Sequence, residues 1–131
     1  MLAAMPVSYV IDRRASRIRT RCVGYTTLPE TVEHFAILAA DPECPPVADV
    51  LLDVDEITSL PAPQELREVA RRSGAMPRVS FRNLAIVARR DDLVGMLRML
   101  QVYAQRAFAA IEIFETAAEG EAWLDRMAGR R

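Results

Sequence analysis

The stretch that most constrains this chain is Leu84-Ala85-Ile86-Val87-Ala88, five apolar residues in an unbroken run. A strand without polar alternation must be covered on both faces, which is the situation in the middle of a parallel sheet. Parallel strands need crossover connections, usually helices, so the flanking sequence should alternate between periods of 2 and 3.6. It does. Val7–Ile11 reads as a first strand, Asp12–Ser16 as a polar hairpin turn, and Arg17 to about Tyr25 as a second strand. A third strand is expected over Asp49–Val54, a fourth within Val79–Ala88 and a fifth over Ile111–Glu115.

Along the second strand, Ile18, Thr20 and Cys22 share one face while Arg17, Arg19 and Arg21 share the other. The arginine row is expected on a sheet face or edge open to water, where charge discourages aggregation. In the third strand Val50, Leu52 and Val54 point one way, and Leu51 and Asp53 the other.

The helices carry their own punctuation. Thr27-Leu28-Pro29-Glu30 matches a capping box ahead of Leu28, Val32, Phe35 and Ala39 at core-facing spacing, and Asp41-Pro42 ends that helix. Thr58-Ser59-Leu60-Pro61 leads into a second helix with Leu66, Val69, Ala70 and Ser73, closed by Gly74. Asp91 or Asp92 is expected to cap a third, running to about Phe108. Thr116-Ala117-Ala118-Glu119 is another capping box, opening a helix with Ala122, Trp123, Leu124 and Met127. The order is ββαβαβαβα: an α/β chain with a mostly parallel five-stranded sheet and an antiparallel N-terminal hairpin. Its 131 residues, 51% hydrophobic and 27% charged, suit one folded domain spanning 1–131.

Right-handed crossovers between strands lying in sequence order collect every crossover helix on one sheet face. The third and fourth strands are apolar on both faces, so a terminal segment, a ligand or a second subunit must cover the other. The third helix raises the same demand. Leu93, Met96, Leu97, Leu100 and Ala104 form one stripe, and Val94, Met99, Val102 and Tyr103 widen it beyond one buried face. A homodimer is expected, with Met99 or Val102 at the contact.

Several classes are disfavoured. Seventeen basic against eighteen acidic residues give a net charge of −1 and no field for nucleic acid. No apolar run approaches the roughly 20 residues that span a bilayer, so no stable membrane insertion and a cytoplasmic location are expected. Cys22 and Cys44 lack metal or redox spacing, and His34 is the sole histidine. Every basic residue is arginine, which reads as codon bias.

The layout resembles the SpoIIAA-like fold of the STAS superfamily, and more narrowly the bacterial STAS-like proteins grouped with the CRAL-TRIO lipid-binding fold. The residues that carry the resemblance are Asp53-Val54-Asp55, Gly95-Met96-Leu97-Arg98-Met99, Ile113-Phe114 and Glu121-Ala122-Trp123-Leu124, in that order. It implies a non-catalytic module for regulatory protein contacts, or alternatively a carrier or sensor of an apolar or amphipathic small molecule. It also implies an interaction or phosphorylation site at the start of the second helix. Thr58 and Ser59 supply hydroxyls there, without the aspartate in register or the following glycine of the family motif. The plainer role for either is a helix N-cap.

Catalysis needs converging groups, and few are visible: no GxSxG elbow, no P-loop, and five glycines in all. No enzymatic activity and no cofactor are expected. The best cluster is Asp53, Asp55 and Glu56 at the carboxyl end of the third strand, where open parallel sheets place ligands. Asp53 and Asp55 share a face and could hold a hard cation or act as an acid–base pair, although solvated or capping carboxylates are the simpler reading. Arg98, between Leu97 and Met99, is either an anchor for an anionic ligand or a surface arginine reaching water.

Overall fold

The computed structural model describes residues 7–26, 28–60, 62–73, 80–105 and 108–129. The elements are β1 (Val7–Asp12), β2 (Arg17–Gly24), α1 (Leu28–Ala40), β3 (Val47–Ile57), α2 (Pro63–Ser73), β4 (Ser80–Val87), α3 (Asp91–Tyr103), β5 (Ala110–Phe114) and α4 (Ala117–Ala128). The strands form one sheet in the order β1-β2-β3-β4-β5. The β1–β2 hairpin is antiparallel and the other three pairings are parallel. This is the expected ββαβαβαβα layout.

Alternate residues of the central strands feed two separate cores. On one face Ile18, Val50, Leu52, Leu84 and Ile86 pack with Leu38 of α1, Leu66 of α2 and Leu93, Leu97 and Leu100 of α3. On the other, Leu51, Ala85 and Val87 pack with Leu124 and Trp123 of α4. The doubly apolar strands are thus covered by the chain itself, and the cover on the second face is α4. Gly120 is what lets α4 settle there: a Cβ at that position would come within 2.7 Å of Leu51 Cδ1. The wide girth of α3 has the same explanation, since Val94, Met96, Met99 and Tyr103 pack against the main core. Val102 alone of that set stands out, 62% exposed.

Three local expectations are corrected. The arginine row lies on an inner strand, and its first member is buried: the Arg17 side chain is only 4% exposed beneath α4. Its guanidinium donates to Glu121 (2.7 Å) and Asp125 (2.9 Å), which closed a route to water that the strand pattern alone left open. α3 stops at Tyr103, not Phe108: the Ala104 N–H still closes the last turn onto Leu100, but the Ala104 backbone leaves the helical region at φ −99° and ψ 6°. Its N-cap position is Arg90, while the Asp92 carboxylate accepts from the Leu93 N–H inside the first turn. The capping box at α4 forms as the sequence implies, with Thr116 Oγ1 accepting from the Glu119 N–H. The box at Thr27, the Leu28, Val32 and Phe35 side chains, and Pro61 and Gly74 lie outside the described residues.

Candidate functional site

The carboxyl ends of β2, β3 and β4 bring three loops together. Gly24 ends β2 with φ of +71°, a left-handed turn that a residue with a Cβ adopts only under strain. Its carbonyl accepts the Thr58 N–H at 2.9 Å, which ties the β2 exit to the β3 exit. Ser59 reinforces the tie from the side chain. Its hydroxyl donates to the Thr26 carbonyl (2.7 Å) and accepts from the Thr26 N–H (3.2 Å).

Neither Ser59 nor Thr58 caps α2, contrary to the plainer sequence reading. α2 begins at Pro63, Leu66 N–H closes onto the Ala62 carbonyl, and the Glu65 carboxylate reaches back to the Ala62 N–H at 3.1 Å. Ser59 is a staple between loops, and Thr58 is exposed.

The third loop contributes two arginines. Arg89 donates to Asp55 through Nε (3.1 Å), Nη2 (2.8 Å) and its backbone N–H (3.0 Å). The hydrogen bonds from Arg89 hold the Asp55 carboxyl below the usual carboxylate range. Arg90 reaches across the junction, donating to the carbonyls of Ile57 and Ser59, both at 3.1 Å, and to Asp92 (2.6 Å). Asp53 accepts from the Asp55 N–H at 3.0 Å, and Glu56 pairs with Arg21. The acidic cluster is therefore committed to arginine and backbone partners, which leaves Asp55 little capacity for a cation. Among the described residues no group of three metal-ligating side chains occurs.

Arg98 is not part of this junction. It is exposed on α3, whose buried side is Leu93, Leu97 and Leu100, roughly 10 Å of helix from Asp91. Arg89, Arg90 and Tyr25 are the residues that sequence reasoning missed. The available signal was the pair of arginines directly after the central apolar strand, at the end of the sheet where binding groups collect. Around the hydrogen-bonded loops, Tyr25 is 72% exposed, Leu60 48% and Val23 43%.

The remaining reactive side chains are inert by environment. His34 is buried, lies 3.0 Å from Thr20 Oγ1, and packs its ring against Tyr9. Desolvation lowers its pKa to about 4, so near neutrality it is an uncharged core imidazole. Burial pushes the Cys22 thiol up to about 12, and burial likewise raises Cys44, so neither offers a thiolate nucleophile.

A sheet of this order with its hairpin, three crossover helices on one face and a last helix on the other is the SpoIIAA-like fold. A crystal structure of an uncharacterised protein of the DUF3478 family from Shewanella loihica PV-4, described as having that fold, matches with a TM-score of 0.60. The match covers 95% of this chain and 98% of that one at 19% sequence identity, a likeness of fold. No protein-family model and no curated protein matches this sequence. Among the described residues no helix is long and apolar enough to cross a membrane.

Proposed function

We propose that this chain is a non-catalytic interaction module whose contact surface for a regulatory protein partner is the loop junction at the carboxyl end of β2, β3 and β4. The observation that supports this reading is a rigid platform carrying unspent apolar groups. Ser59 locks the 24–26 and 57–60 loops together, Arg90 ties the 57–60 loop to the loop after β4, and Tyr25 and Leu60 stand exposed on the locked surface. Exposed aromatic and aliphatic anchors on a preorganised backbone are what a protein partner can use, because little ordering entropy remains to be lost on binding.

Within this reading the two hydroxyls have different parts. Thr58 is open to a modifying enzyme. A phosphate on Ser59 would remove the proton donated to the Thr26 carbonyl and set a dianion against that carbonyl beside Arg90, and so would loosen the platform. The test is quantitative affinity capture with wild type, Tyr25→Arg, Leu60→Glu and Ser59→Glu, with Val102→Glu as a surface control. Partners held by wild type and Val102→Glu but lost from the other three support the junction. Identical capture by all five chains sinks it.

The alternative is a carrier or sensor of an apolar or amphipathic small molecule held between α3 and the sheet, in the manner of the CRAL-TRIO resemblance. Native mass spectrometry of freshly purified protein separates the two: a co-purified apolar molecule favours the carrier.

A further inference from the structure

The two edges of the sheet are not equally guarded. β5 is five residues long and carries the exposed Glu112. β1, Val-Ser-Tyr-Val-Ile-Asp, has no basic residue or proline within it, and among the described residues nothing pairs with its outer side. Strand edges normally carry such guards because their free N–H and C=O groups recruit another strand. Apolar side chains flank this edge on both faces. Val10 is 64% exposed on the α4 side. On the helix side, Ile37 is 48% exposed one turn before Asp41, whose carboxylate accepts the Tyr9 hydroxyl at 2.8 Å.

We propose that β1 is a self-pairing edge: two copies of this chain join antiparallel through β1 about a two-fold axis perpendicular to the sheet. The occupant follows from the register. Residues opposed in an antiparallel pair point to the same face, so under that symmetry the centre must fall on a residue and not between two. Centring on Val10 opposes it to the partner's Val10, Tyr9 to the partner's Ile11, and Ser8 to the partner's Asp12. Apolar meets apolar, and the strand's one charge meets a hydroxyl. The β1–β2 register then supplies charge complementarity. Arg21 lies beside Ser8, so each Arg21 is two strand spacings, about 10 Å between Cα atoms, from the partner's Asp12 on the same face. Within one chain Arg21, 57% exposed, pairs with Glu56 and Asp12 pairs with Arg19, so the contact across the axis requires Arg21 to turn from Glu56 toward the edge strand and Asp12 to share Arg19. Centring on Tyr9 instead leaves Asp12 beyond the partner's β1. The Val10 register is the one that places an opposite charge on each side of the axis.

This surface is separate from the loop junction, so either proposal can fail alone. Sedimentation equilibrium from micromolar to several hundred micromolar should give a species of twice the 14.6 kDa chain mass. Val10→Glu and Val10→Lys should each weaken the dimer by about tenfold or more, because like charges then oppose across the axis. An equimolar mixture of the two should restore a mixed dimer, and Arg21→Glu should weaken it without touching β1. Thermal melts of the single variants should stay near wild type, since both positions are exposed. A wild type that remains at 14.6 kDa throughout overturns the proposal. So does a dimer unaffected by both Val10 variants, a mixture no stronger than its components, or a dimer dissolved by Val102→Glu alone.

Discussion

The two faces of the sheet are closed by different physics. The crossover face carries α1, α2 and α3 over a continuous apolar core in which Ile18, Leu38, Val50 and Ile86 have no exposed surface. The α4 face carries one helix, four buried apolar residues and a chain of charges. Arg17 bridges Glu121 and Asp125, Arg19 bridges Glu121 and Asp12, and Asp49 accepts from the Asn83 backbone and side-chain N–H groups. Desolvation pushes Glu121 upward, but hydrogen bonds from Arg19 and Arg17 outweigh it and hold the carboxyl below its ordinary value. The crossover face gains stability from area, nearly independent of geometry. The α4 face depends on geometry, because a buried guanidinium is stabilising only while its carboxylates stay in place.

The sharpest way to break this comparison is a pair of truncations. Leu93→Ala on the crossover face should cost about 2–5 kcal/mol, and Leu124→Ala under α4 should fall at the lower end of that range. Both are read from urea unfolding. Equal costs would mean that the small cluster is packed as firmly as the large one.

Next in size is a pH effect confined to the crossover face. His34 titrates at about 4 in the fold against 6.5 ordinarily. The unfolded chain therefore binds more protons between those values, and stability present above pH 6.5 is lost as pH falls toward 4. The shift corresponds to about 3 kcal/mol. His34→Gln should remove that slope; a slope that survives the substitution would move its origin elsewhere.

Glu121→Gln should cost about 1–3 kcal/mol, less than breaking a fully buried pair. Glu121 is 30% exposed, and Asp125 still holds Arg17. Because the folded carboxyl titrates below its ordinary 4.5, its contribution is full above that value and is lost as pH falls through the folded pKa. In the His34→Gln background, acid destabilisation should thus begin only below about pH 4.5, and adding Glu121→Gln should reduce what remains. The smallest effect is expected away from both cores. Glu68→Ala removes the pair with Arg71 on the α2 surface, 67% and 38% exposed, and should change stability by less than about 0.5 kcal/mol.

The element order was legible because each signal is local: the unbroken run at Leu84–Ala88, the Thr116–Glu119 box, the alternation around Ile18, Thr20 and Cys22. What was not legible depends on distant parts of the chain meeting. Arg17 looks like a surface residue until Glu121, 104 positions later, arrives on the same face. The acidic cluster was placed correctly at the carboxyl end of the third strand, but its engagement by Arg89 is set by the parallel pairing of β3 with β4, 34 positions apart in sequence. Ser59 was misread as a cap for a nearer reason. Two prolines follow it, and Pro63 holds the first helical position, where proline's missing N–H costs nothing.

The place of α4 in chain order has a consequence for synthesis. The face formed by Leu51, Ala85 and Val87 is complete once β5 has been made, yet its cover is the next element to be translated. At about 5–20 residues per second, that face waits on the order of a second for α4. During the interval Arg17 has neither of its α4 carboxylates to hold and Arg19 only Asp12, so both guanidiniums stand exposed beside the bare apolar strip. The same guanidiniums that later anchor the helix then act as gatekeepers against premature sheet-to-sheet association.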